Sequence, residues 1–248
     1  MSALLRATAW LFVDCYRRGL LLFVLAPVVV ALAVLPEFIQ HVVEIGLGMF
    51  DSRAAARAAS VHPDRWLAGY FKIAGLVATI LCAARFWSTR EHGGRWWRID
   101  DMRWGWLVVG IAVVVLPSLA IELLKSGLPA LGYQIAQWTV SIATLPGLFV
   151  IVAAIVGDRS MTFRRISTHS WLYLPLLFAL LIVAFAPAQI LHGQLHVWAI
   201  GVPVAMVWGL MTLDALLVGL LASLTGAALY LGYRSFARGV VESGSHQD

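Results

Sequence analysis

Charge is scarce in this chain. Asp, Glu, Lys and Arg together make up 12% of its 248 residues, about half the share found in a soluble domain. Such a chain cannot cover its apolar surface with polar groups, and 61% of its residues are hydrophobic, with a mean hydropathy of +0.85. Lipid must therefore be part of its solvent. Cysteine is almost missing: Cys15 and Cys82 are the only two. That excludes a cysteine-rich zinc module, and both fall toward the same side of the membrane on the topology below, which argues against a disulfide. The sequence also lacks GxSxG, Walker A and GxGxxG motifs, so hydrolase-elbow, nucleotide and dinucleotide readings have no support. No signal-peptide pattern stands at the start, because Arg6 and Asp14 interrupt the first apolar residues and no small-residue cleavage site follows.

What is abundant is long apolar sequence. A hydrocarbon core about 30 Å thick needs about 20 residues of helix at 1.5 Å each. Six stretches qualify: Gly19–His41, Trp66–Trp87, Trp104–Leu124, Tyr133–Val156, Trp171–Leu191 and Val204–Tyr233. They predict an all-α polytopic protein with six transmembrane helices. Residues 1–18 place Leu4, Leu5, Thr8, Leu11, Phe12 and Cys15 roughly on one face and predict an interfacial amphipathic helix. Residues 19–233 then form the transmembrane domain and 234–248 a cytoplasmic tail, whose last residues ESGSHQD read as disordered.

Basic residues set the orientation. With the N-terminus inside, the inner segments hold Arg6, Arg17, Arg18, Arg85, Arg90, Arg95, Arg98, Arg103, Arg159, Arg164, Arg165, Arg234 and Arg238. The outer side keeps Arg53, Arg57, Arg65, Lys72 and Lys125. The positive-inside rule thus predicts a bacterial inner-membrane protein with both ends cytoplasmic. Lys72 and Arg85, near the ends of the second span, are expected to snorkel. The net charge of +5 is spread over these short loops, so it does not mark a nucleic-acid-binding surface. The Arg- and Trp-rich inner loops serve as topology anchors, and they would also attract anionic lipid headgroups.

Three stretches share a plan: a polar opening, an apolar run, a proline (Pro36, Pro117, Pro187) and then Glu or Gln. They suggest three pseudo-repeated helical hairpins, although any apolar helix with a proline near its end would look the same. Pro27, Pro146 and Pro175 fall within spans, where each frees a carbonyl that must find another partner. Such breaks are either plain kinks or the frame of a binding site.

Few polar residues are candidates for function. Asp214 lies about ten residues into the last apolar stretch, where a carboxylate costs about 2.5–3.5 kcal/mol on insertion scales. It should face the bundle and bind an ion or proton, or else be a hydrogen-bonded structural carboxyl. Glu37, His41 and Glu44 share one helical face, and Glu122 closes the third span. If the hairpins repeat, Glu37, Glu122 and Gln189 gather near one axis, and Asp214, Glu122 and Glu37 are the candidate ion- or substrate-binding residues. His41, Glu44, His192 and His196 are candidate metal ligands. No HExxH supports them, Gly193 within HGQLH weakens a helix there, and a polar collar at helix ends is the plainer reading. The sequence specifies no cofactor. Gly219, Ala222, Ser223, Gly226 and Ala227 form a small-residue stripe that lets helices approach closely and would also serve a homo-oligomer or another membrane partner.

The six-span plan and the junction LPGLFVIVAAIVGDRSMTFRRISTHSWLYLP, with Pro146 and Gly147 and a basic inner segment leading to the fifth span, resemble small bacterial inner-membrane proteins of the YciC-like family. They also resemble the membrane domain that accompanies some glycerophosphodiester phosphodiesterases. The resemblance covers about a quarter of the chain on these residues, and implies a fold more than an activity. Three functions stay open: transport or envelope-lipid handling through an outward-opening polar cavity, a non-catalytic assembly subunit, and a metal-dependent membrane enzyme.

Overall fold

The computed structural model describes residues 3–244, and every regular element among them is helical. In chain order these are α1 (Ala3–Leu25), α2 (Pro27–Gly46), α3 (Arg53–Ser60), α4 (Pro63–His92), α5 (Trp104–Leu123), α6 (Ala130–Thr144), α7 (Pro146–Ile155), α8 (Phe163–His169), α9 (Leu174–Ala199) and α10 (Val204–Gly244). Six segments are long and apolar enough to cross a membrane: α2, α4, α5, the run Ala130–Ile155 through α6 and α7, α9, and Val204–Val240 of α10. The protein is an all-α, multi-pass membrane protein. In each of these segments less than half of the most apolar window is buried by protein. Side chains such as Val24, Val28, Val108, Leu123 and Ile190 are left bare, a surface that needs acyl chains around it.

Proline sets several boundaries. Pro27 and Pro146 occupy the first turns of α2 and α7, where no backbone donor is needed. The expected kink in the first span is therefore a helix break at Ala26, and the first apolar stretch belongs partly to α1 and partly to α2. Pro175 likewise falls in the first turn of α9. Pro36, Pro117 and Pro187 sit inside α2, α5 and α9. The expected N-terminal amphipathic helix runs on to Leu25, past residue 18. The side chains of Leu4 and Leu5 lie outside the described residues. The tail expected from residue 234 is helical as far as Gly244, and the last four residues lie outside the described chain.

The chain divides into two compact units, Met1–Ala83 with Leu180–Ala228, and Ala84–Ala179 with Leu229–Asp248. In the first, close backbone approach organises the packing. Pro36 cannot donate to the carbonyl of Leu32, and Gly75 of α4 lies against that freed oxygen. A Cβ at Gly75 would stand 2.1 Å from it, so only glycine fits. One turn further along α4, the Thr79 hydroxyl donates to the Val29 carbonyl at 3.0 Å. Gly219 of the small-residue stripe packs on Val30 and Val34, and Gly19 on Leu224. Residues 221–230 are all buried, and the stripe packs within the chain.

In the second unit α5 crosses α7 at Gly110 and Gly147, with Ile151 and Val114 filling the contact. Phe149 stacks on Phe236 at 4.9 Å between ring centroids. Arg85 does not snorkel. It is 4% exposed, and its guanidinium donates to the carbonyls of Trp96, Arg98 and Ile155 and to Asp101, tying the loop after α4 to the end of α7. Cys15 and Cys82 are not joined in a disulfide.

Candidate functional site

Two helical spacings assemble the site. Glu37, Gln40, His41 and Glu44 recur at intervals of three and four along α2 and form one buried face. The segment HGQLH, beyond the expected end of the fifth span at Leu191, is part of α9, which continues to Ala199. Tertiary packing outweighs the helix weakness of Gly193: Leu195 and Ala199 are buried in a core with Phe50, Val207 and Met211. His192 and His196 therefore share a face, one turn apart, with rings 4.9 Å apart. The turn to α10 is closed by Gly201, at φ +77°, whose N–H donates to the Phe50 carbonyl at 2.8 Å.

All these groups converge on Asp214 of α10. Its carboxylate lies 2.9 Å from His41 Nε2, 2.8 Å from His192 Nδ1 and 3.3 Å from His196 Nε2. His41 is the second hub: its Nδ1 stands 3.0 Å from Glu44 and its Nε2 3.4 Å from Glu37. Glu37, His41, Glu44 and Asp214 are wholly buried. Two cations from α4 complete the cluster. Lys72 Nζ is 2.8 Å from Glu37, and Arg65 Nε donates to Glu44 at 2.9 Å, as does the Gln40 side-chain amide at 2.8 Å.

With neutral imidazoles, three buried carboxylates face two partly exposed cations, which leaves one formal negative charge. Burying an uncompensated charge is very costly, so the cluster requires a proton or a further cation. Hydrogen bonding within it is incomplete: Oε2 of Glu37 and Oε1 of Gln40 have no partner, Oε1 of Glu37 has only the Lys72 ion pair and a 3.4 Å approach to His41, and Nε2 of His196 has only its 3.3 Å approach to Asp214. Buried polar groups seldom remain unsatisfied. One ligand atom each from Glu37, His41, His196 and Asp214 lies within 4.8 Å of all the others. Four ligands held tetrahedrally about 2.1 Å from a zinc-like ion stand about 3.4 Å from one another, so the widest pairs must close by about an ångström or more to seat a metal.

The candidate residues thus fall into two groups. Asp214, Glu37, His41, Glu44, His192 and His196 meet in one cluster, with Glu44 behind His41 and outside the set of converging atoms. Glu122 belongs to the other unit. Its side chain is 52% exposed and pairs locally with Lys125 at 3.0 Å and with the Tyr133 hydroxyl. Gln189 is exposed on α9 and has no part in the cluster. Sequence reasoning missed Arg65, Lys72 and Gln40. The spacing of seven between Arg65 and Lys72 was the available signal, since it puts both on one face of α4.

No family model matches the chain, and comparisons with curated proteins and with solved structures give no match either.

Proposed function

We propose that this membrane protein is a metal-dependent enzyme of envelope-lipid handling. One divalent transition-metal ion is held by Glu37, His41, His196 and Asp214. The observation that carries the reading is the convergence of two imidazoles and two carboxylates, wholly or largely buried, in which Glu37 Oε2 has no partner and His196 Nε2 reaches Asp214 only at 3.3 Å. Mixed nitrogen and oxygen ligands suit zinc, iron or manganese. Lys72 on Glu37 and Glu44 on His41 act as the outer partners that orient such ligands. A resident ion would polarise a bound water or carbonyl. His192, donating from Nδ1 to Asp214, leaves Nε2 as a proton acceptor beside it. The site lies among membrane-spanning helices whose neighbouring exposed residues include Trp66, Tyr70, Ile190 and Val197, which favours an amphiphilic substrate. The positive-inside bias supports placing both chain ends in the cytoplasm and the cluster toward the outer leaflet.

Cation transport through the same residues is the second reading. Partial exposure of His192, His196, Lys72 and Arg65 favours it. Elemental analysis of detergent-purified protein tests both. The enzyme reading expects one transition metal per chain that survives dialysis and is lost in Glu37→Gln and His196→Ala. A freely exchanging ion, with metal uptake in reconstituted vesicles, favours transport. Absence of any bound metal after loading overturns both.

A further inference from the structure

A second candidate site lies in the other unit, where the spans give way to polar loops. Residues from the last turns of α4, the loops after α4 and α7, and the last turns of α10 enclose a cavity of about 530 Å³. Its charged lining is Glu91, Asp101, Asp158, Arg234 and Arg238. Most of these charges are already matched. Glu91 accepts from Arg234 and from the Tyr230 hydroxyl, each at 2.8 Å, and Asp101 pairs with Arg85 at 2.5 Å.

One charge of each sign is left over. Asp158 accepts hydrogen bonds from Tyr233 at 2.6 Å and Ser160 but has no ion pair among the described residues. Burial pushes its carboxyl up, but hydrogen bonds from Ser160, Tyr233 and the N–H groups of Ser160 and Met161 hold it below the usual carboxylate range. Arg238 is exposed and likewise has no carboxylate partner among the described residues. The rest of the lining includes apolar Val156 and Ala237.

We propose that this cavity binds the headgroup of a zwitterionic aminophospholipid, with Arg238 taking the phosphate and Asp158 the ammonium. A headgroup of both signs answers both leftover charges. An anionic lipid would satisfy Arg238 and leave Asp158 facing a second negative charge. The position suits a lipid source, because two candidate spans, α4 and the run through α7, end there, at the depth where headgroups meet the hydrocarbon. Arginine is suited to phosphate through its planar array of donors.

The full-length protein, delipidated in a neutral detergent, tests this by native mass spectrometry with added phosphatidylethanolamine, phosphatidylglycerol, soluble phosphoethanolamine and inorganic phosphate. Phosphatidylethanolamine is expected to bind about tenfold more tightly than phosphatidylglycerol. Arg238→Gln should weaken phosphatidylethanolamine by a similar factor. Asp158→Asn should remove the preference over phosphatidylglycerol while leaving phosphate recognition. Arg238 is exposed, so its substitution keeps the test valid if Asp158→Asn fails to fold. Soluble phosphoethanolamine binding as tightly as the lipid would move the site to a free metabolite. Equal binding of the two lipids with no response to Arg238→Gln would overturn the proposal. Loss of the metal in the first unit leaves this test unaffected.

Discussion

Replacing Asp214 by alanine should remove both stability and metal binding. In the metal-free protein the carboxylate is in hydrogen-bond contact with His41 and His192 at 2.9 and 2.8 Å. Hydrogen bonds to an ionised acceptor contribute about 1.5–3 kcal/mol each. Two of them sum to about 3–6 kcal/mol, and losses within one network are not additive. Breaking one side of a buried charge network typically costs about 3–5 kcal/mol, and we take that range. Asparagine keeps the shape and one acceptor oxygen, so Asp214→Asn should lose roughly half as much. A second effect separates a metal ligand from a structural carboxyl. An ion supplied at 100 times its dissociation constant stabilises the folded state by about 2.7 kcal/mol. Wild type should gain that increment and Asp214→Ala should gain nothing. Unfolding in mixed micelles with increasing dodecyl sulfate, with chelator or with added zinc, reads both through the chain's 11 tryptophans. An alanine variant within about 1 kcal/mol of wild type under chelator would refute the energetic argument. One that retains the full zinc increment would remove Asp214 from the ligand set.

Three other perturbations test the frame around the sites. Gly75→Ala would push a methyl group against the Leu32 carbonyl, and about 1–3 kcal/mol of lost stability is expected in thermal unfolding. Arg85→Lys keeps the charge but cannot reproduce four separate contacts. The loop 93–103 should then be cut faster by trypsin, while metal content stays unchanged. Acidification should loosen the second unit through Asp158. Its folded-state pKa lies below the usual aspartate value of about 3.9, so its contribution is complete above that value and is lost as pH falls through the lowered pKa. Hydrogen exchange near Tyr233 should accelerate below about pH 4 in wild type, and Asp158→Asn should abolish that dependence.

The oily stretches fixed the membrane class without help. A peptide group in hydrocarbon must be satisfied within its own helix, so Trp104–Leu123 or the start of α10 could hardly adopt another form. Boundaries were less legible. Pro27 was visible, but whether it kinks a helix or starts one depends on what packs around Ala26. HGQLH looked like a loop because local propensity penalises Gly193, and the burial of Leu195 and Ala199 reversed that preference.

The sequence by itself determined which residues lie in the expensive minority: an acid ten residues into an apolar helix, and a Glu-His-Glu face on another. Their depth in apolar sequence is a local property and can be read from one strand of text. Only the tertiary structure decided who meets whom. It brought His41, His192 and His196 onto Asp214 and supplied Arg65 and Lys72 as counter-charges. It assigned Glu122 to Lys125 and Tyr133 instead. Helix periodicity gives the face a residue occupies, but which helix covers that face depends on packing between segments up to 173 residues apart, as when Gly75 admits α4 beside the freed carbonyl of Leu32.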